Sequence, residues 1–108
     1  MGGLLQPIYS TRADDPALSE SLDRFVLALA ERVDDLQDAH SAGDASRLSQ
    51  LALALATEAE PLGYAPLSRL AEVLVSAAAE DKMEEARGHV IELTDLSQRI
   101  RMGHRGVI

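Results

Sequence analysis

The side chains able to do chemistry in this 108-residue chain are few and scattered. His40, His89 and His104 are the only imidazoles, and there is no cysteine to supply a thiolate or a disulfide. No histidine has a second metal-type ligand four residues on along a shared helix face. None stands in a spacing that suggests a Ser–His–Asp relay. His40 falls where a helix should end, a place where the helix dipole favours a cation, and His89 lies beside the inward stripe of the last helix, so both are read as structural.

The carboxylates Asp34, Asp35, Asp38, Glu84 and Glu85 fall on solvated helix faces. A general acid needs surroundings that shift its pKa, and the sequence shows no such site. A glycine-rich phosphate loop is missing too, and Arg99, Arg101 and Arg105 form a short basic tail that complements a helix C-terminus. No enzymatic activity, cofactor or metal site is expected.

The elements that would position these residues follow from apolar spacing. Ala and Leu dominate a composition with only Phe25, Tyr9 and Tyr64 as aromatics, which favours helices over strands. Residues 1–14 lack a period and read as an extended arm without helix, anchored through Leu5, Ile8 and Tyr9. Asp15 before Pro16 marks a helix start. Leu22, Phe25, Val26, Leu29, Val33 and Leu36 then form one stripe, to about residue 41.

Gly43 should close that helix in the left-handed conformation, with Asp44 capping the next. The second helix sets Leu48, Leu51, Ala52, Leu55 and Ala59 inward, and Pro61 and Gly63 stop it. Pro66 opens a third, with Leu67, Leu70, Val73, Leu74 and Ala77 inward, ending near Glu80. Asp81 and Glu84 have the spacing of a capping box for a fourth helix, which faces Met83, Ala86, Val90, Leu93, Ser97 and Ile100 inward. The expected fold is all-α, an antiparallel four-helix bundle over residues 15–102 between the arm and a flexible tail at 103–108.

A net charge of −8 repels nucleic acid and anionic lipid, so neither is an expected partner. No apolar run approaches the roughly 20 residues of a membrane span. The start has no basic segment of a secretory signal, and a cytoplasmic protein, monomeric in preference to dimeric, is expected.

From Phe25 to about Leu74 the chain resembles the histidine-containing phosphotransfer (HPt) domain of bacterial phosphorelays. The residues that carry the likeness are Phe25 opening a long amphipathic helix, the Gly43–Asp44 turn, Ala52 and Leu55, and Leu62-Gly63-Tyr64 followed by Leu67. Such domains are four-helix bundles with an A-H-x-L-K-G motif in the helix after the Gly-Asp turn. In that register the motif's alanine falls on Ala52 and its leucine on Leu55, but the phospho-accepting histidine falls on Leu53, the lysine on Ala56 and the last glycine on Thr57. Leucine has no nucleophilic lone pair and alanine no charge to steady a phosphoryl group, so the resemblance implies a degenerate, catalytically silent form.

The resemblance also implies a partner. The outer face of the second helix, Ser46, Ser49, Gln50, Leu53, Ala56, Thr57 and Glu60, corresponds to the surface such domains present to response-regulator receiver domains or histidine kinases. The expected role is an adaptor or decoy that binds a two-component signalling protein without passing phosphate. The alternatives are an active phosphotransfer protein using His40, where Ala39-His40-Ser41 echoes the motif, and a structural bundle that self-associates.

Overall fold

The computed structural model describes residues 6–104; the parts of the arm and tail at 1–5 and 105–108 lie outside the described residues. Asp15 accepts the Ala17 N–H at 2.9 Å and, with Pro16, starts a 3₁₀ turn, Pro16–Leu18, that runs into helix α1, Ser19–Ser41. Helix α2 spans Ala45–Ala59, α3 Ala65–Ala79 and α4 Met83–Gly103, and no strand occurs among the described residues.

All three connections close in one way. Gly43 (φ +69°) donates to the His40 carbonyl and Asp44 to that of Ala39. Gly63 (φ +85°) donates to Glu60 and Tyr64 to Ala59. Each pair caps carbonyls left free at a helix end, through a left-handed residue where glycine carries no Cβ penalty. Asp44 then caps α2, its carboxylate accepting the Arg47 N–H at 3.0 Å.

The third connection departs from expectation. Asp81 (φ +60°) is itself the left-handed residue closing α3, donating to Ala78 while Lys82 donates to Ala77. The α4 N-cap is Lys82, with no side-chain cap, and the Asp81–Glu84 capping box does not form. A connection this short leaves Asp81 one role. Aspartate is among the few residues besides glycine that visit this conformation routinely.

Burial of the apolar stripes supplies the core. Leu22, Phe25, Val26, Leu29, Val33 and Leu36 of α1 are all buried, as are Leu48, Ala52, Leu55 and Ala59 of α2. Phe25 stacks on the ring of Tyr64 at 5.9 Å. Each helix packs on the next and α4 packs on α1, with α2 and α3 in the most extensive contact. Small residues stand among the buried ones of both helices, Ala52, Ala56 and Ala59 on α2 and Ser68, Ala71 and Ala78 on α3, and the Ser68 hydroxyl donates to the Ala56 carbonyl.

Val73 does not join the core but stands 47% exposed. The buried stripe of α3 runs Leu67, Ala71, Leu74, Ala78, and Val73 lies a hundred degrees round from Leu74. Leu51, Leu70 and Met83, also expected inside, are half-buried.

Residues 6–12 are tied across the helices rather than loose. The Ile8 N–H donates to the Arg99 carbonyl at 3.0 Å, Arg99 Nε returns a bond to the Gln6 carbonyl at 2.8 Å, and the Thr11 N–H donates to the Gly63 carbonyl at 3.1 Å. The buried Ser10 hydroxyl donates to the Leu62 carbonyl. This approach requires bare glycines: a Cβ on Gly63 would fall 2.6 Å from Ser10 Oγ, and one on Gly103 would strike the Ile8 carbonyl. Gly103 is the last residue of α4, and His104 Nε2 lies 2.9 Å from the Asp23 carboxylate.

Candidate docking surface

The outer arc of α2 follows from its sequence. Burial of Leu48, Ala52, Leu55 and Ala59 turns Ser46, Gln50, Leu53 and Thr57 to solvent at helical spacing. Leu53 is 55% exposed, and the Thr57 hydroxyl donates to the Leu53 carbonyl at 2.8 Å. Ser49 is half-buried at the margin of the arc, and Glu60 is exposed at its C-terminal end.

Ala56 is misplaced in the sequence-derived surface. It is buried, 3% exposed, and its carbonyl accepts the Ser68 hydroxyl of α3 at 2.9 Å. Three residues from Leu53 is sixty degrees of helix, enough to carry Ala56 under α3, and its single methyl lets that helix come close. The arc gains instead a shallow groove of about 460 Å³, bounded by Ala45, Ser46, Ser49 and Gln50 on one side and Ala78, Ala79 and Asp81 on the other. Ala78 and Ala79 carry no functional group for a sequence reading to single out.

Chemically the arc is quiet: hydroxyls, an amide and aliphatic carbon, with ionisable groups at its margins, Glu60 at the C-terminal end and Asp81 at the rim of the groove. Burial raises the pKa of the Tyr64 phenol, and a hydrogen bond to Glu80 raises that of the exposed Lys82 ammonium.

The three histidines occupy separate places. His40 is half-buried with Nε2 at 2.8 Å from the Met83 carbonyl, linking the end of α1 to the start of α4. A carbonyl only accepts, so Nε2 carries the proton, and Nδ1 holds the one ring lone pair of the neutral form. His89 Nδ1 lies 3.3 Å from Glu92, and His104 meets Asp23. Among the described residues no three His, Asp or Glu side chains converge as metal ligands. Arg99 of the expected basic tail is engaged by Gln6 and by Asp95 at 3.6 Å.

On the far edge of α2, Glu58 takes both guanidinium nitrogens of Arg32, at 2.6 and 3.2 Å, and Arg32 lies 6.0 Å from the Phe25 ring centre. That bidentate pair fixes α2 to α1 and leaves the Leu53 edge without a charged tether. Among the described residues no helix is long and apolar enough to cross a membrane. No family model matches the chain, and no curated protein or solved structure matches it either.

Proposed function

We propose that this chain is a catalytically silent, phosphotransfer-like antiparallel bundle. It docks a two-component signalling protein, a receiver or histidine kinase domain, through the outer arc of α2 as adaptor or decoy, working in the cytoplasm. The observation that carries the reading is Leu53. It occupies the register position of the phospho-accepting histidine in the domains this chain resembles, and it stands in solvent on an uncharged stretch of helix. Burying its exposed half against a partner contributes about 1–2 kcal/mol, a useful share of a transient complex.

Silence follows from chemistry: leucine cannot form a phosphoramidate, and Ala56 places neither charge nor donor at the surface. His40 is a poor substitute because its ring is half-buried and spends one nitrogen on Met83. The net charge of −8 favours a protein partner over nucleic acid or an anionic membrane.

The test is direct. Purified receiver and kinase domains are titrated with the chain and with Leu53→Glu, and phosphorylated receivers are incubated with the wild type. Saturable binding lost in Leu53→Glu, with no label on the chain, supports the reading. Acid-labile phosphate on His40 replaces it with an active relay protein.

A further inference from the structure

The arm, the start of α1, the α2–α3 turn and the end of α4 meet around a cavity of about 220 Å³, whose lining includes Tyr9, Ser10, Asp23, Tyr64 and His104. It shares no residue with the outer arc of α2. The cavity exists because the arm is tied down: Ser10 and Thr11 are bonded to Leu62 and Gly63, and Ile8 to Arg99.

Tyr64 is the residue that points to a ligand. It is 1% exposed, yet its hydroxyl forms no hydrogen bond among the described residues. No buried side-chain oxygen among those residues is both sealed and unpartnered, so the hydroxyl opens into the cavity that it lines. A hydroxyl withdrawn from bulk water without a partner is costly, and a ligand that pairs with it recovers that cost. A second free acceptor lies on the same wall. His104 Nε2 holds one oxygen of Asp23 at 2.9 Å, and Asp23 Oδ2 has no partner among the described residues.

Charge selects the class of ligand. Asp23 and His104 together carry one net negative charge with the imidazole neutral and none with it protonated, so in neither state does the pair attract an anion. Asp14, Asp15 and Glu20 adjoin the lining in sequence against Arg12 and Arg24. The arginines of α4 described near its end are turned elsewhere, Arg99 to Gln6 and Asp95, Arg101 to the groove that holds Asp34. The rings of Tyr9 and Tyr64 suit an apolar ring beside a cation. A cavity of ~150 Å³ takes benzene, so one of about 220 Å³ admits a single ring with an aminomethyl arm.

We infer that this cavity is a binding site for a small primary ammonium compound built on one ring, its ammonium held by Asp23 and the Tyr64 hydroxyl. The site goes beyond the signalling role and is independent of it.

Benzylammonium is the probe, titrated to about 20 mM into the isotope-labelled full chain at about pH 8, where free imidazole is neutral, and followed by amide shifts. Saturable shifts are expected at Tyr9, Asp23, Tyr64 and His104, with a dissociation constant on the order of 1 mM, as suits so small a ligand. Benzyl alcohol, benzoate and n-butylammonium depart from the probe in charge, in its sign and in the ring, and each should bind at least about fivefold weaker. Asp23→Asn keeps an oxygen for His104 and should weaken benzylammonium at least about tenfold. Tyr64→Phe keeps the ring on Phe25 and should weaken it about two- to fivefold, with melting curves reporting that both variants are folded. No saturable shift, shifts away from the cavity, benzyl alcohol or benzoate bound as tightly as benzylammonium, or indifference to Asp23→Asn overturns the proposal. Equal affinity for n-butylammonium overturns it in favour of a lysine side chain. Leu53→Glu leaves this binding unchanged, so the cavity and the docking arc fail separately.

Discussion

On α2 a single turn separates Ala56, which admits the next helix, from Leu53, which is left in water. The difference sets opposite mutational behaviour. Ala56→Leu forces extra carbon between α2 and α3 and should cost about 1–3 kcal/mol, whereas Leu53→Glu should stay within about 0.5 kcal/mol in urea unfolding. Ser68→Ala deletes the hydroxyl that serves the Ala56 carbonyl and should cost about 1 kcal/mol by the same measurement. Tyr64 gives a pH signature. Its buried phenol ionises above its ordinary value of 10.0, so the unfolded chain loses that proton first. Stability is therefore full below pH 10 and falls as pH climbs toward the raised value. Thermal melts should show this alkaline decline in the wild type and a shallower one in Tyr64→Phe.

At the scale of elements, the left-handed glycines separate turn chemistry from close packing. Gly43 has open space where a Cβ would go, so Gly43→Ala should cost only the conformational penalty of about 1–2 kcal/mol. Gly63→Ala carries the same penalty and also displaces Ser10 and Thr11. It should cost more, and amide exchange at Thr11 should quicken in that variant alone. Helix boundaries at Asp15–Pro16, Gly43–Asp44 and Pro61–Gly63–Pro66 were legible because each rests on a local rule about caps, φ or a missing N–H. The third turn was misread because Asp81 satisfies two local rules, and only the length of the connection decides between them. Val73 and Ala71 exchange the expected places because hydropathy weighs a valine above an alanine, whereas the buried stripe of α3 runs through Ala71. The bonds from Ile8 to the Arg99 carbonyl and from Arg99 to the Gln6 carbonyl left no trace, since they join residues some ninety positions apart without periodic pattern.

For the whole molecule, the acidic charge is heaviest on α1, whereas α2 and α3 each balance one arginine against one glutamate within the helix and carry Asp44, Glu60, Glu80 and Asp81 at their ends. The candidate surface was legible in Ser46, Gln50, Leu53 and Thr57, whose helical spacing fixes them on one face, and illegible in Ala56, whose burial depends on a neighbouring helix. Calorimetric titration of receiver and kinase domains into wild type and Leu53→Glu tests the central claim most directly. The account predicts saturable binding by the wild type to at least one such domain, at least about tenfold weaker for Leu53→Glu at equal thermal stability. Equal affinity of the two proteins, or binding to none of those domains, would contradict it.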